Sequence, residues 1–259
     1  MRPSAEQLDS DGQSVHALRQ LVREWLFTQP FHNLDLLASS LRGGRTLTRE
    51  EALDRCTTGL GGPCHVQAAG FLQLVTSLGF EADLAAATIT HPDDHLLVRV
   101  LASGRVWLCD VGNGQPYVEP FPADAPLRFA HLGWCFETRP LSGAVELRRA
   151  SPDQPESRVV YRAALKPKVW ADFSGTIDRH HHQEGFGPFL RGLRAVRMST
   201  DEMIVLRDTT LTVYREKTWH RIELAEDNVG AILRDRLGLG CLPVDEAVEA
   251  WLRARRETS

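Results

Sequence analysis

Apolar positions in the first third of the chain recur every three or four residues, the spacing of amphipathic helices. This pattern predicts helices over residues 14–27, 48–56 and 64–79. Thr48 and Glu51 have the types and spacing of a capping box, in which each side chain bonds the backbone N–H of the other residue, so a helix start is expected there. The beginning of the chain is therefore predicted to be mostly helical.

The pattern then changes to short β-branched and aromatic runs between turn residues, which is typical of strands. Strands are predicted over residues 82–90, 95–101, 105–111, 132–137, 144–149, 158–163, 193–198, 203–206 and 209–214. The segment 166–188 is expected to be irregular, with Trp170 and Phe173 as anchors. Two helices, one starting near Asp227 and one after Pro243, are predicted to close the chain.

Composition excludes several classes of function. The formal net charge is −4, which favours neither nucleic acid nor an anionic membrane as a partner. No apolar run is long enough to cross a membrane, and no secretory signal precedes the first helix. The cysteines are few, widely spaced and without a Cys-x-x-Cys pair, so a reducing, cytoplasmic environment is expected rather than a disulfide framework or a zinc site.

Cys64 follows a glycine-rich turn and a proline at the start of a predicted helix. Proline is favoured at the first helical position because its missing N–H would be unpaired there. The positive end of the helix dipole would favour the thiolate form of Cys64 over the thiol. Position alone does not distinguish a nucleophile from a small buried core residue, which is what most free cysteines are.

His95 and Asp110 lie on two predicted strands joined by a short turn. A turn centred between Ala102 and Ser103 would place His95 directly opposite Asp110, on the same face of the sheet. Another turn type would shift this register. A carboxylate beside a histidine orients the ring and raises its basicity, and such a histidine near Cys64 would make the thiol a nucleophile.

These motifs resemble the arylamine N-acetyltransferase family. The resemblance rests on Gly61-Gly62-Pro63-Cys64, then His95, then Asp110-Val111-Gly112-Asn113-Gly114, which is similar to that family's Asp-Val-Gly-Phe-Gly. An early segment, Pro30-Phe31-His32-Asn33-Leu34, is similar to its Pro-Phe-Glu-Asn-Leu. The resemblance runs the whole length of the chain and implies that Cys64, His95 and Asp110 are the catalytic triad.

The resemblance also implies an α+β fold with a core like that of cysteine proteases. A helical bundle over residues 1–82 would carry the nucleophile. A β-barrel over residues 83–190 would carry His95 and Asp110, and an α/β lid would occupy residues 191–259. The change of hydrophobic pattern near residue 82 agrees with the first of these boundaries.

Two departures from the family suggest a changed substrate. Leu60 stands where the family has an arginine before the glycines, and His32 stands where it has a glutamate. Replacing both members of a buried ion pair can leave the stability of the protein unchanged, whereas replacing one leaves a buried charge without a partner. The segment after the nucleophile, His65-Val66-Gln67-Ala68-Ala69, also differs. We interpret these changes together as the replacement of polar side chains around the nucleophile by apolar ones.

The predicted reaction is acyl transfer through an acyl-Cys64 intermediate formed from a thioester. The first hypothesis is the release of a polyketide or peptide chain from an acyl carrier protein by intramolecular cyclisation, either a Dieckmann condensation or amide formation. The alternative is acetyl transfer from acetyl-coenzyme A to an arylamine. The thioester is a substrate, held on a carrier protein, on coenzyme A or on another small thiol, and no resident cofactor is expected.

Other functions were weighed against this one. A thioesterase or cysteine protease shares the order of the three residues, but the resemblance outside the triad argues against a protease. A module that only binds would not need a cysteine, a histidine and an aspartate together. Three adjacent histidines, His180, His181 and His182, are expected in a solvated loop rather than at a metal ion, because neighbouring side chains point in different directions. His65 is not expected to be the base.

Overall fold

Four helices precede the first long strand in the computed structural model, which describes residues 14–257. Their order, with a short strand after the first helix, is α1 (Val15–Thr28), β1 (Phe31–His32), α2 (Leu34–Ser40), α3 (Arg49–Thr57) and α4 (Cys64–Ser77). The predicted capping box is present, because the Thr48 hydroxyl accepts from the Glu51 N–H and the Glu51 carboxylate accepts from the Thr48 N–H. The predicted helices of this region are confirmed.

The middle of the chain forms an antiparallel sheet of eight strands that curls into a nearly closed barrel. Its strands in chain order are β2 (Glu81–Thr88), β3 (His95–Ala102), β4 (Arg105–Cys109), β5 (Phe121–Pro122), β6 (Leu127–His131), β7 (Trp134–Leu141), β8 (Ala144–Ser151) and β9 (Gln154–Ala164). Their spatial order is β5-β4-β3-β2-β9-β8-β7-β6. Helix α4 packs against β2 and β3, so the barrel holds the start of that helix at a fixed position.

The turn between β3 and β4 corrects the predicted register. Ala102 pairs with Arg105 around a two-residue turn of Ser103 and Gly104, which have φ angles of 49° and 70°. Positive φ at both turn residues is the geometry that matches the twist of a two-residue hairpin. The predicted turn, centred between Ala102 and Ser103, was therefore wrong by two residues in the pairing. A shift of two keeps every side chain on its predicted face.

The segment after β9 is helical rather than irregular. A single 3₁₀ turn, Trp170–Phe173, leads into α5 (Ser174–His182). His180 and His181 are buried, so the expectation that these histidines lie in a solvated loop was wrong. The helix was missed because histidine counts as polar in a periodicity search, yet a neutral imidazole can be buried when it is hydrogen bonded. The His180 Nε2 atom lies 3.0 Å from the backbone oxygen of Asp94.

The last part of the chain adds a second antiparallel sheet and two helices. These elements are β10 (Arg194–Met198), β11 (Met203–Arg207), β12 (Thr210–Tyr214), β13 (Trp219–Glu223), α6 (Val229–Asp235) and α7 (Val244–Glu257). Strand β1 pairs with β10 and so joins the N-terminal segment to this sheet. The solvent-exposed β13 was not predicted. None of the helices within residues 14–257 is long and apolar enough to span a membrane.

The packing of α4 against α1 and α3 can be tested at Gly70. A Cβ atom at Gly70 would lie 2.7 Å from the Trp25 ring and would also meet the side chain of Cys56. We expect Gly70→Ala to lower the free energy of unfolding by about 1–3 kcal/mol, because overpacking outweighs the better helix propensity of alanine. Urea unfolding followed by circular dichroism would measure the change.

The matched control is Gly175→Ala in α5, where no other group lies within 4 Å of the added atom. This variant should be as stable as the wild type or more stable by about 0.5–1 kcal/mol. Equal stability of the Gly70→Ala variant and the wild type would contradict the described packing.

Candidate active site

Cys64 is the first residue of α4 and is almost fully buried, with 3% of its surface exposed. The turn before it requires glycine, since Gly61 has a φ of 67° and a Cβ there would collide with the backbone oxygen of Pro30. The Gly62 N–H donates to the same oxygen at 3.1 Å. The first N–H groups of a helix have no partner within it, so the backbone at Cys64 can stabilise negative charge.

His95 and Asp110 meet directly. The His95 Nε2 atom lies 3.0 Å from Asp110 Oδ1, and both side chains are buried. His95 begins β3 and Asp110 follows the end of β4. Continuing the observed register would place Asp110 opposite Leu97, two residues along β3 from His95, so the two side chains are diagonal neighbours on one face. The predicted contact exists although the predicted register was wrong.

The Asp110 carboxylate has two further partners that hold it in place. Its Oδ1 atom accepts from the Gly112 N–H at 3.2 Å, and its Oδ2 atom accepts from the Tyr161 hydroxyl at 2.8 Å. Tyr161 lies on β9 and is fully enclosed, with 2% of its surface exposed. Tyr161 was not predicted as a site residue, because a tyrosine in an ordinary strand pattern carries no local sign of a partner 51 residues away. Only closure of the barrel brings β9 beside Asp110.

Cys64 lies beside this pair. A Cβ atom at Gly112 would lie 2.7 Å from the Cys64 Cα atom, so the loop after Asp110 packs against the start of α4. Burial disfavours a charged His95 ring, but Asp110 first and then the Cys64 sulfur outweigh burial and raise the pKa of His95 to about 10. The structure thus brings together the three residues that the sequence analysis selected.

A cavity of about 350 Å³ opens above Cys64 and His95, between the barrel and the C-terminal sheet. Its size falls within the range of sites that hold small molecules. Apolar side chains cover much of its wall; they are Phe31, Ile89, Val160, Phe189, Val196 and Leu206. Three arginines also line it; they are Arg149, Arg194 and Arg207. The cavity can therefore hold a group that is partly apolar and partly anionic.

The two positions that depart from the family contact each other. The buried His32 ring lies with Nε2 2.8 Å from the backbone oxygen of Leu60, and its Nδ1 atom accepts from the Leu34 N–H at 3.3 Å. Burial lowers the pKa of His32, so the ring is neutral at pH 7. A neutral hydrogen bond to the backbone thus occupies the place where the resemblance implies an ion pair.

The region around Cys64 is nevertheless polar, which corrects the expectation that it is apolar. The buried Gln67 side chain donates to the backbone oxygen of Pro30 at 2.8 Å and accepts from the Trp25 indole N–H at 2.8 Å. The sequence comparison suggested an apolar scaffold because the charged types were lost. The structure shows that uncharged polar groups replaced them and that each makes hydrogen bonds.

His65, the residue after the nucleophile, contacts α5. Its Nε2 atom lies 3.3 Å from the Nε2 atom of His181, and both rings are buried. Burial first, and then the neighbouring His181 ring, lower the pKa of His65 well below its usual value. Burial and the neighbouring histidines lower the pKa of His181 to about 4. Within residues 14–257 no cluster of three or more metal-binding side chains is present.

A cysteine at a helix start, beside a buried histidine–aspartate pair, is the arrangement found in enzymes that work through an activated thiol. The N-acetyltransferase family model matches residues 14–244. The chain therefore belongs to the arylamine N-acetyltransferase family and is an acyltransferase of this type. No curated protein matches it in sequence.

Solved structures confirm the predicted α+β fold. The arylamine N-acetyltransferase of Mycobacterium abscessus is 21% identical, with a TM-score of 0.79 over 94% of this chain and 90% of that chain. The enzyme of Nocardia farcinica is 23% identical, with a TM-score of 0.77 over 92% and 87%. That of Mycobacterium marinum, solved in complex with CoA, is 18% identical, with a TM-score of 0.80 over 97% of both chains.

The charge of His95 should be visible in the pH dependence of stability. Its pKa of about 10 in the folded protein lies above the value of about 6.5 expected for an unfolded chain. The stabilisation is therefore fully present below pH 6.5 and is lost as the pH rises toward 10. Between pH 7 and pH 9.5 the wild type should lose more free energy of unfolding than His95→Gln, by a few kcal/mol at about 1.4 kcal/mol per pKa unit.

Urea unfolding of both proteins at both pH values would test this, because titrating groups that do not interact with His95 cancel in the comparison. Equal losses in the two proteins would show that His95 does not keep its proton in the folded state.

Proposed function

We propose that Cys64, His95 and Asp110 form a catalytic triad for acyl transfer from a thioester. The observation that carries the proposal is the buried His95–Asp110 hydrogen bond of 3.0 Å beside a cysteine that lines the same cavity. Asp110 bonds one ring nitrogen, Nε2, which leaves Nδ1 as the nitrogen that can exchange a proton with Cys64. The raised pKa of His95 favours an imidazolium–thiolate pair.

In the first half of the proposed reaction the Cys64 thiolate attacks the carbonyl carbon of the thioester. A carbon–sulfur bond to Cys64 forms, the bond to the donor sulfur breaks, and His95 gives its proton to the leaving thiolate. The negative charge that develops on the carbonyl oxygen can be stabilised by backbone N–H groups at the start of α4. The acyl group is then held on Cys64, and His95 is neutral.

In the second half a nucleophile attacks the acyl-Cys64 carbonyl. We infer that the nucleophile belongs to the same chain, as a carbon between two carbonyls or as an amine. His95 removes its proton, the new carbon–carbon or carbon–nitrogen bond closes a ring, and the Cys64 thiolate leaves. Support comes from the size and the apolar wall of the cavity, which suit a longer acyl chain than acetyl. An acyl carrier protein or a small thiol would deliver this chain.

A second candidate is acetyl transfer from acetyl-coenzyme A to an arylamine. It is supported by membership of the family and by the fold shared with the Mycobacterium marinum enzyme that was solved with CoA. The same triad would serve this reaction, with an external amine in place of the internal nucleophile. The two candidates therefore differ in donor and acceptor but share the acyl-Cys64 intermediate.

The shared intermediate predicts which cysteine is reactive. At pH 6 an ordinary thiol is almost fully protonated, so Cys64 should react with iodoacetamide faster than the exposed Cys135 and Cys241. Asp110→Asn should slow both this labelling and turnover, the latter by up to about 10⁴-fold by analogy with serine proteases. Peptide mass spectrometry and thioester consumption would measure these rates.

Cys135→Ala and Cys241→Ala serve as controls and should keep most activity. Faster modification of either exposed cysteine, with Cys64 inert, would contradict the assignment. A loss of turnover below tenfold in Asp110→Asn would make Asp110 a structural residue only.

The choice of donor separates the two candidates. We expect acetyl-coenzyme A to acetylate Cys64 poorly, because the binding energy of a long acyl chain is missing. A β-ketoacyl-aminoacyl thioester of a small thiol should be consumed with release of a cyclic product. Intact-mass spectrometry of the protein and chromatography of the products would follow both reactions, with Cys64→Ala as the control. Rapid acetyl transfer to an arylamine, without turnover of the long thioester, would favour the second candidate.

A further inference from the structure

Three arginines project into the cavity above Cys64 from its two walls. Arg149 belongs to β8 of the barrel, and Arg194 and Arg207 belong to β10 and β11 of the C-terminal sheet. They are distant in sequence, so the fold alone brings them together. Three positively charged side chains therefore line the same cavity as Cys64 and His95.

Arg194 and Arg207 are directly opposed across the ladder between β10 and β11. Like charges at opposed positions destabilise a sheet unless something compensates them. One carboxylate, Asp208, lies 3.1 Å from the Arg194 guanidinium. A second, Asp153, acts on Arg207 from beyond ion-pair distance and is itself paired with Arg221 at 2.7 Å. Asp208 also accepts hydrogen bonds from the Leu193 N–H and the Trp251 indole N–H. It therefore compensates one of the two arginines and has little capacity left for the other.

The other two guanidinium groups have no carboxylate within ion-pair distance among residues 14–257. Arg149 lies over the Trp134 ring, at 5.1 Å from its centroid, which fixes its position without neutralising it. Arg207 is exposed at the end of β11. Partial desolvation first, and then the charges of Arg194 and Arg149, lower its pKa, while Tyr214 and Asp153 act in the opposite direction. The mutual effect shows that the three charges are close enough to repel one another.

The acidic groups near the cavity are already bonded. Asp94 lines the cavity, but its carboxylate accepts from the N–H groups of Ile89, Thr90 and His91 at 2.7–2.8 Å. Asp110 is bonded to His95 and Tyr161 behind the nucleophile. The guanidinium groups of Arg149 and Arg207 thus carry positive charge that no carboxylate among residues 14–257 pairs with directly.

We propose that Arg149, Arg194 and Arg207 bind an oxyanion of the thioester substrate, and that Arg207 is its principal partner. A planar guanidinium presents paired N–H donors that match a carboxylate or a phosphate. The bound oxyanion holds the acyl carbon over Cys64, so this inference rests on the proposed function. Two sources share this chemistry: the phosphodiester of a phosphopantetheine arm, and a carboxylate carried by the acyl chain.

Anion binding can be measured without catalysis. Inorganic phosphate, compared with sodium chloride at equal ionic strength, should raise the Tm of the wild-type protein by several degrees, because a ligand of the folded state stabilises it. Arg207→Gln should remove most of this shift. Arg128→Gln is the matched control, since Arg128 is 79% exposed on β6 and outside the cavity. Equal shifts in all three proteins would overturn the proposal.

A set of four thioesters identifies the source of the oxyanion. Hexanoyl and adipoyl groups, each on coenzyme A and on N-acetylcysteamine, vary the acyl carboxylate and the phosphate groups of the donor independently. Intact-mass spectrometry gives the rate at which each loads Cys64 in the wild type, Arg207→Gln and Arg128→Gln. Loss of one charge-assisted hydrogen bond should slow loading of the oxyanion-bearing donors by about tenfold or more.

A loss confined to the coenzyme A thioesters identifies a phosphate of the donor as the bound oxyanion, and a loss confined to the adipoyl thioesters identifies the acyl carboxylate. A loss that is equal for all four donors, or absent from all, overturns the proposal. Should no donor load even wild-type Cys64, the proposed function fails, while the phosphate measurement still decides whether the arginines bind an oxyanion.

Discussion

The buried carboxylate of Asp110 is the constraint on which the rest of the site depends. A charge enclosed by protein is costly unless it is paired and hydrogen bonded. Asp110 meets this need with the His95 ring, the Gly112 N–H and the Tyr161 hydroxyl. These partners come from β3, from the loop after β4 and from β9. Satisfying one carboxylate thus fixes three parts of the barrel, and through Gly112 it also fixes the position of Cys64.

Several buried polar groups next to Cys64 are uncharged, whereas the buried Asp94 carboxylate at the same cavity is held by three backbone N–H groups. His32 bonds the backbone of Leu60, and Gln67 bridges Trp25 and Pro30. Burial lowers the pKa of His65, so it too is neutral. A buried ion pair in the same place would add its own electrostatic interaction with His95 to that of Asp110. Asp110 first, and then Cys64, raise the pKa of His95 against the effect of burial.

The sequence predicted those features that have local causes. The capping box at Thr48 and the helix start at Cys64 depend on residues a few positions apart, and both are present. The contact of His95 with Asp110 was predicted through a wrong register, because strand alternation survives a shift of two residues. Tyr161 could not be predicted, since its role depends on barrel closure. The burial of His181 was not predicted because its partner, His65, lies on a helix that is 116 residues away in the sequence.

The cavity lies between two sheets that do not share a strand, so much of its wall and the Cys64–His95–Asp110 cluster come from different elements. Cys64, His95 and Asp110 lie on α4 and on the β3–β4 hairpin, while much of the wall above them comes from β8, β9, β10 and β11. Strand β1 adds Phe31 to the second sheet by pairing with β10, so the N-terminal segment also shapes the wall. Side chains such as Arg207 and Phe31 can therefore change without moving Asp110 or its partners. A family with one acyl-transfer centre can in this way accept different donors.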